Sequence, residues 1–270
     1  MTVALLAVHG MGDTKANFAD EFKAAIRKRL GAKWQNVHFE SVYYQPVLQG
    51  SQKQVFDAMR KHIDWMRLRE FMLYGFSDAA SLEFKKDEVD SPYFRAQEVV
   101  LNVLDRVHQS LGDVPVVIIA QSLGCQLLSS YLWDAERAPN AFAGVFKGNY
   151  DGIDPASPQA QFRRLRSLQA LYTTGNNMPI FAAGHQNIRS FSKPHPNFRW
   201  FNFFDEDDVL GWPMQPLSAD HAAQVTDMSI NAGNLGLGAI FKSWNPLSHE
   251  LYWGDKAVLT HVASTIRALM

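Results

Sequence analysis

The stretch VPVVIIAQSLG, residues 114 to 124, decides the fold. Val114 to Ala120 is apolar at every position, as a strand must be when both of its faces are covered. The residues that follow, CQLLSSYLWDAER (125 to 137), read as a helix. Ser122 therefore stands in a tight turn between a buried strand and a helix. Two roles suit it there. A serine before a helix caps a free backbone N–H, and a serine on a sharp strand-to-helix turn can be a nucleophile presented at the edge of the sheet. The second role requires small residues two positions before and after, and Ala120 and Gly124 occupy those places. Such a serine emerges at the carboxyl end of a central strand, where open α/β sheets bind ligands. The adjoining helix N-terminus also favours developing negative charge.

Outward from this stretch, Val3 to Val8 is another short apolar run, followed by the glycine turn HGMGD (9 to 13). Phe18, Phe22, Ala25, Ile26 and Leu30 then recur at helical spacing, and Val37 to Tyr44 is rich in strand formers. This βαβ opening implies a parallel sheet. Residues 50 to 76 break the alternation: Val55, Phe56, Met59, Ile63 and Met66 recur at helical intervals, with Trp65, Phe71, Met72, Tyr74 and Phe76 adding bulk. That segment reads as an amphipathic helix covering the sheet, with a lid over an apolar site, inside residues 50 to 90, as the alternative. Ser91-Pro92 opens a further helix that ends near Leu111-Gly112. Leu168 to Thr173 and Arg199 to Phe204 read as strands, 148 to 158 as a polar loop, 231 to 238 as a glycine-rich loop, and Ala257 to Leu269 as a closing helix. Leu217 to Met228 shows no assignable period. With no repeat, low-complexity tract or linker, residues 1–270 read as one α/β domain, its mostly parallel central sheet flanked by helices, with a helical insertion around 50–76.

The 270 residues include 26 basic and 27 acidic side chains, for a formal net charge of -1. A domain of this size buries roughly three quarters of its unfolded surface and needs no staples. Cys125 is the one cysteine, so no intramolecular disulfide forms, which fits a reducing compartment. No basic stripe points to nucleic acid. The densest basic run, Arg163 to Arg166, reads as the wet side of a short element among Phe162, Leu165 and Leu168. The opening MTVALLAVHG is apolar for only about seven residues and lacks a basic start, so it reads as a first strand rather than a secretory signal. No apolar run approaches the ~20 residues of a membrane span. A cytoplasmic location is the expectation.

A serine hydroxyl is a weak nucleophile until a base takes its proton and an acid orients the base. In a strand-elbow-helix architecture the acid and then the histidine follow the serine in the chain. That order removes His9, His38, His62 and His108. Of His185, His195, His221, His249 and His261, the last falls inside the closing helix. His249 lies in the loop NPLSHELYWGD just before that helix, with Tyr252 and Trp253 able to wall a site. The acid should follow a late strand, and DEDDVLGWP begins where RWFNFF ends at Phe204, leaving Asp205, Asp207 and Asp208 as candidates. An oxyanion hole needs two backbone N–H groups. Leu123, after the serine, supplies one, and Met11, in the turn that Gly10 permits, supplies the other.

VHGMGD (8 to 13), VVIIAQSLG (116 to 124), DEDDVLGWP (205 to 213) and SHELYW (248 to 253) together resemble the α/β-hydrolase superfamily, closest to its lipase- and esterase-like serine hydrolases. The motifs span nearly the whole chain in the expected order. Ala120 stands where glycine is usual. The resemblance implies acyl-enzyme chemistry on a carboxylic ester: Ser122 attacks, His249 is the base, and Asp208, just before an apolar pair and near Pro213, orients it. It also implies no cofactor and no metal, and neither HExxH nor a CxxC pair is present. Trp212, Trp244, Tyr252 and Trp253 are expected to line a pocket for a small-molecule ester with an apolar acyl group. The same triad acting on a thioester or amide, or a non-catalytic binding module of this fold, are the alternatives. A nucleotide-binding protein is disfavoured, because no GxxxxGK[ST] or GxGxxG follows a strand.

Overall fold

Val3–Val8 (β1) and Val116–Gln121 (β3) lie side by side in the middle of a six-stranded sheet of order β2-β1-β3-β4-β5-β6. Their partners are Val37–Val42 (β2), Leu168–Thr174 (β4), Arg199–Asp205 (β5) and Val225–Ile230 (β6), and every pairing is parallel. The computed structural model describes residues 1–12, 14–48, 50–62, 64–148, 151–232, 249 and 251–270. The helices are Asp20–Leu30 (α1), Gln45–Leu48 (α2), Gly50–Met59 (α3), Met66–Glu83 (α4), Pro92–Leu111 (α5), Leu123–Arg137 (α6), Pro158–Arg163 (α7), Met178–Ala182 (α8), Ala219–Ala222 (α9) and Lys256–Leu269 (α10).

The apolar runs are continuous because both faces of the sheet are covered. In β1, Ala4, Leu6 and Val8 enter a core shared with α5 and α6, while Val3, Leu5 and Ala7 enter one shared with α1 and α10. In β3 the same alternation sends Val116, Ile118 and Ala120 one way and Val117 and Ile119 the other, as strand geometry requires. Each fully buried Val, Leu or Ile contributes about 1.5–3 kcal/mol of transfer free energy. The helices begin where capping chemistry allows. Ser91 Oγ accepts from the Phe94 N–H at 3.2 Å with Pro92 behind it, and Asp255 Oδ1 accepts from Ala257 at 2.7 Å and Val258 at 3.3 Å. Such caps are typically worth about 1 kcal/mol.

The strand order positions the site. The chain runs from β1 outward to β2, then returns to place β3 on the other side of β1, so the sheet changes winding direction between β1 and β3. Val8 pairs with Ala120, and Ala120 with Thr173. The segments that leave β1, β3 and β4 thus emerge next to one another at the edge where α/β sheets bind ligands.

Two expectations change, and one unassigned region acquires elements. The amphipathic segment around 50–76 is two helices, α3 and α4, broken at Trp65, whose φ of 60° is left-handed. α4 then folds back on α3, so that Phe56 meets Tyr74 with ring centroids 6.0 Å apart and Gln52 Nε2 donates to Asp78 Oδ1 at 2.8 Å. Periodicity missed the break because neither Gly nor Pro marks it. The unassigned 217–228 region contains α9 and most of β6, an edge strand whose Asp227 side chain accepts from Met214 and Gln215 N–H groups. Arg163 is not on the wet side: it is clamped between Asp105 and Asp151, with Nε–Oδ1 and Nη2–Oδ2 distances to Asp105 of 2.7 and 2.5 Å. The loop expected at 148 to 158 ends where Ser157 caps α7. Most of the glycine-rich 231–238 stretch, and Trp244, lie outside the described residues. Among the described residues, no helix is long and apolar enough to cross a membrane, and no group of three His, Cys, Asp or Glu side chains is placed to hold a metal ion.

Candidate active site

Ser122 caps no N–H with its side chain; its backbone sits at φ 51°, ψ -123°. A non-glycine residue in that region carries strain of order 1–3 kcal/mol that the surroundings must hold. They do so through backbone bonds: the Ser122 N–H donates to Thr174 O at 3.0 Å, and the Cys125 N–H to Ser122 O at 2.9 Å. Close packing explains the small neighbours. A Cβ on Gly124 would lie 2.4 Å from His9 O, and one on Gly10 would lie 2.9 Å from Ser122 Cβ. The β1 loop and the elbow are therefore in backbone contact. Leu123 opens α6, so its N–H has no acceptor within the helix. Met11 faces the same cleft as Ser122 and His249.

The carboxylates at the end of β5 and just beyond it divide by environment. Asp205 is buried and accepts two backbone N–H groups, Oδ1 from Asp207 N of its own loop at 2.9 Å and Oδ2 from Ala232 N, just after β6, at 2.8 Å. Asp207 is exposed. Asp208 is brought to the histidine: its Oδ2 lies 2.8 Å from His249 Nδ1. The same oxygen accepts from Tyr252 OH at 2.8 Å, and Oδ1 accepts from Leu210 N at 3.0 Å. Burial pushes the Asp208 carboxyl up, but its hydrogen bonds and the pairing with His249 outweigh that and hold it below the usual carboxylate value. Because Nδ1 donates to the carboxylate, Nε2 of the neutral ring is free of a proton. That nitrogen is buried and has no hydrogen-bond partner. The His249 carbonyl accepts from Gln121 Nε2 at 2.5 Å, which ties the histidine backbone to the residue before Ser122.

The Ser122 hydroxyl is not bonded to Nε2; it receives Asn177 Nδ2 at 3.4 Å. Asn177 follows β4 and is fully buried, with its Oδ1 unpartnered. Sequence reasoning passed over it. The signal was in the strand order, since GNNMP leaves the strand beside β3, but that adjacency is not written in the chain. The remaining late histidines lie elsewhere: His195 beside Gln169, His221 on Ser218, and His261 on Tyr172. His9 is a scaffold. Its Nδ1 lies 2.7 Å from Gly10 O, Nε2 accepts from the Tyr44 and Gln45 N–H groups at 3.0 and 3.2 Å, and the ring stacks on Tyr44 at 3.9 Å. Burial holds its pKa down at about 4 despite the bond to Gly10.

The cleft has a volume of about 870 Å³. Met11, Phe18, Phe22 and Trp253 give it an apolar wall, and Lys15, Asp20, Glu21, Lys28 and Arg29 line it with both signs of charge. Of the side chains expected to line it, Trp253 does. Tyr252 is fully buried behind Asp208, with its phenol driven up by burial and by the carboxylate, and so kept neutral. Trp212 is 45% exposed and lies outside the cleft, held by its backbone to Asn176 O and Asn202 Nδ2 at 3.0 Å each.

No protein-family model matches the chain, and no curated protein does. Among solved structures, it is similar to the catalytic core domain of acetyl xylan esterase from Trichoderma reesei, with 12% identity and a TM-score of 0.47 over 100% of this chain and 98% of that one. An iodinated complex of acetyl xylan esterase is similar at 10% identity and a TM-score of 0.47, over 99% and 98% of the two chains. A cutinase-like protein from Cryptococcus sp. is similar at 8% identity and a TM-score of 0.42, over 99% and 93%.

Proposed function

We propose that the chain is a serine hydrolase that cleaves a carboxylic ester through an acyl-enzyme on Ser122. One observation carries the reading: the Asp208–His249 pair leaves a proton-free imidazole nitrogen without a partner, in the same cleft as a serine held at positive φ. In the first half-reaction the Ser122 hydroxyl leaves Asn177 and gives its proton to His249 Nε2 while Oγ attacks the carbonyl carbon. The N–H groups of Met11 and Leu123 meet the negative charge that grows on the carbonyl oxygen. Asp208, ionised at neutral pH, stabilises the imidazolium, which then protonates the departing alcohol. A water molecule repeats the sequence on the acyl-enzyme and frees the acid. Met11, Phe18, Phe22 and Trp253 suit an apolar acyl group; p-nitrophenyl butyrate should be turned over faster than the acetate.

The test is labelling with a fluorophosphonate probe. Intact protein should be modified on Ser122, and Ser122→Ala should not react. Absence of labelling on intact protein, or equal labelling of Ser122→Ala, removes the hydrolase reading.

A further inference from the structure

The turn that carries the Met11 N–H is gripped by the α3–α4 insertion. Gly75 and Asp78 stand one turn apart on α4, and both reach this loop. At Gly75 there is no room for a side chain, since a Cβ there would come within 2.3 Å of Met11 Sδ. Gly75 is therefore a notch that receives the Met11 side chain. Asp78 is 1% exposed; its carboxyl takes a hydrogen bond from Gln52 Nε2 of α3 at 2.8 Å, and the nearby Gly12 backbone N–H favours its charged form. Met11 is thus held by its side chain and by the peptide that follows it. On the preceding side, Gly10 abuts Ser122 Cβ, and His9 is pinned by two backbone donors after β2.

We propose that α4 is the positioning element of the oxyanion loop, with Asp78 and Gly75 as the positioning residues that aim the Met11 N–H. The proposal rests on the hydrolase reading and goes beyond it, because it assigns the insertion a part in catalysis rather than in covering the sheet. A buried carboxylate with one neutral side-chain donor is costly to retain as packing alone. It is the natural acceptor for a loop N–H that has lost access to water. An oxyanion donor acts chiefly when charge develops, so misplacing it should lower kcat and spare KM.

The experiment compares wild type with Asp78→Leu, Asp78→Asn and Gly75→Val on p-nitrophenyl butyrate, with thermal unfolding as the check on folding. Affinity for an alkyl trifluoromethyl ketone, whose adduct carries an oxyanion, is measured alongside. Removal of a whole oxyanion donor costs about 10²–10³ in kcat. Asp78→Leu should cost at least ~10-fold in kcat, move KM less than about twofold, and weaken the ketone by the same factor as kcat. Asp78→Asn keeps an acceptor for Gly12 and should recover most of that loss. Gly75→Val should act in the same direction, and its cost should shrink when Met11→Ala empties the notch. If Asp78→Leu fails to fold, the Gly75→Val and Met11→Ala cycle decides. Folded Asp78→Leu or Gly75→Val with wild-type kcat and ketone affinity would overturn the proposal, as would losses confined to KM. A wild type that no fluorophosphonate labels would instead overturn the hydrolase reading itself.

Discussion

Tyr252 and His249 converge on one oxygen: both lie 2.8 Å from Asp208 Oδ2. The phenol is also an acceptor, taking the Asp205 N–H at 2.9 Å. Tyr252 therefore links the strand end to the carboxylate. Tyr252→Phe should leave a buried N–H without a partner, at about 1–3 kcal/mol, and should loosen Asp208. Denaturant unfolding should show that destabilisation, and kcat/KM should fall several-fold. A variant with wild-type stability and rate would mean that the link is dispensable.

The three aspartates at the end of β5 and just beyond it should separate by function. Asp208→Asn should lose up to ~10⁴ in kcat/KM while remaining folded, because the amide no longer stabilises the imidazolium or enforces its tautomer. Asp207→Asn, at an exposed site, should stay within about twofold. Asp205→Asn should act on stability, since Asp205 accepts two backbone N–H groups. Steady-state kinetics on the three purified variants, with circular dichroism, checks the order. Collapse of Asp207→Asn with an active Asp208→Asn would reassign the acid.

Acid should reveal two buried groups that oppose one another. His9 is held at about 4 by burial, so it stays neutral in the folded chain while the unfolded chain takes up a proton near 6.5. Its contribution is present above that value and is lost as pH falls toward 4, by about 3 kcal/mol at 1.36 kcal/mol per pKa unit. Asp78 behaves in the opposite sense. Burial pushes it up to about 6, against the hydrogen bond from Gln52 and the effect of the Gly12 N–H. The folded chain binds that proton first, so stability is gained as pH falls from about 6 toward 3.8, again by about 3 kcal/mol. Wild type should thus show little net slope from these two groups, and Asp78→Asn should expose the His9 loss. Urea unfolding of both proteins at pH 7 and pH 4.5 measures it; parallel changes in the two would refute the pairing.

Arg163 offers a test remote from the cleft. Its side chain is 11% exposed and is held by Asp105 through two nitrogens and by Asp151. Arg163→Ala should cost about 1–3 kcal/mol by removing its charge-assisted hydrogen bonds to Asp105 and Asp151, whereas Arg166→Ala, at an exposed position, should stay within about 0.5 kcal/mol. Equal thermal shifts for the two would show that the clamp contributes nothing.

Local pattern and chain order determined much of this protein. The apolar run 114–120 implied a doubly covered parallel strand, and the small residues around Ser122 implied a turn too tight for side chains. Both are properties of neighbouring residues, so a linear reading reaches them. The pairing of His249 with one of three nearby aspartates was narrower than pattern could resolve. It was decided when Asp205 turned its carboxylate onto the Asp207 and Ala232 N–H groups and Asp208 met Tyr252 and His249. Tertiary structure alone also decided that Tyr252 braces the acid instead of lining the cleft, that Asn177 reaches Ser122, and that Gly75 and Asp78 hold the loop after β1. Each of these joins residues 44 to 66 positions apart through the order of strands or the fold-back at Trp65. The physical reason is common to all of them: burial removes water from a polar group, and its only remaining partners are those the packing of distant segments brings within reach.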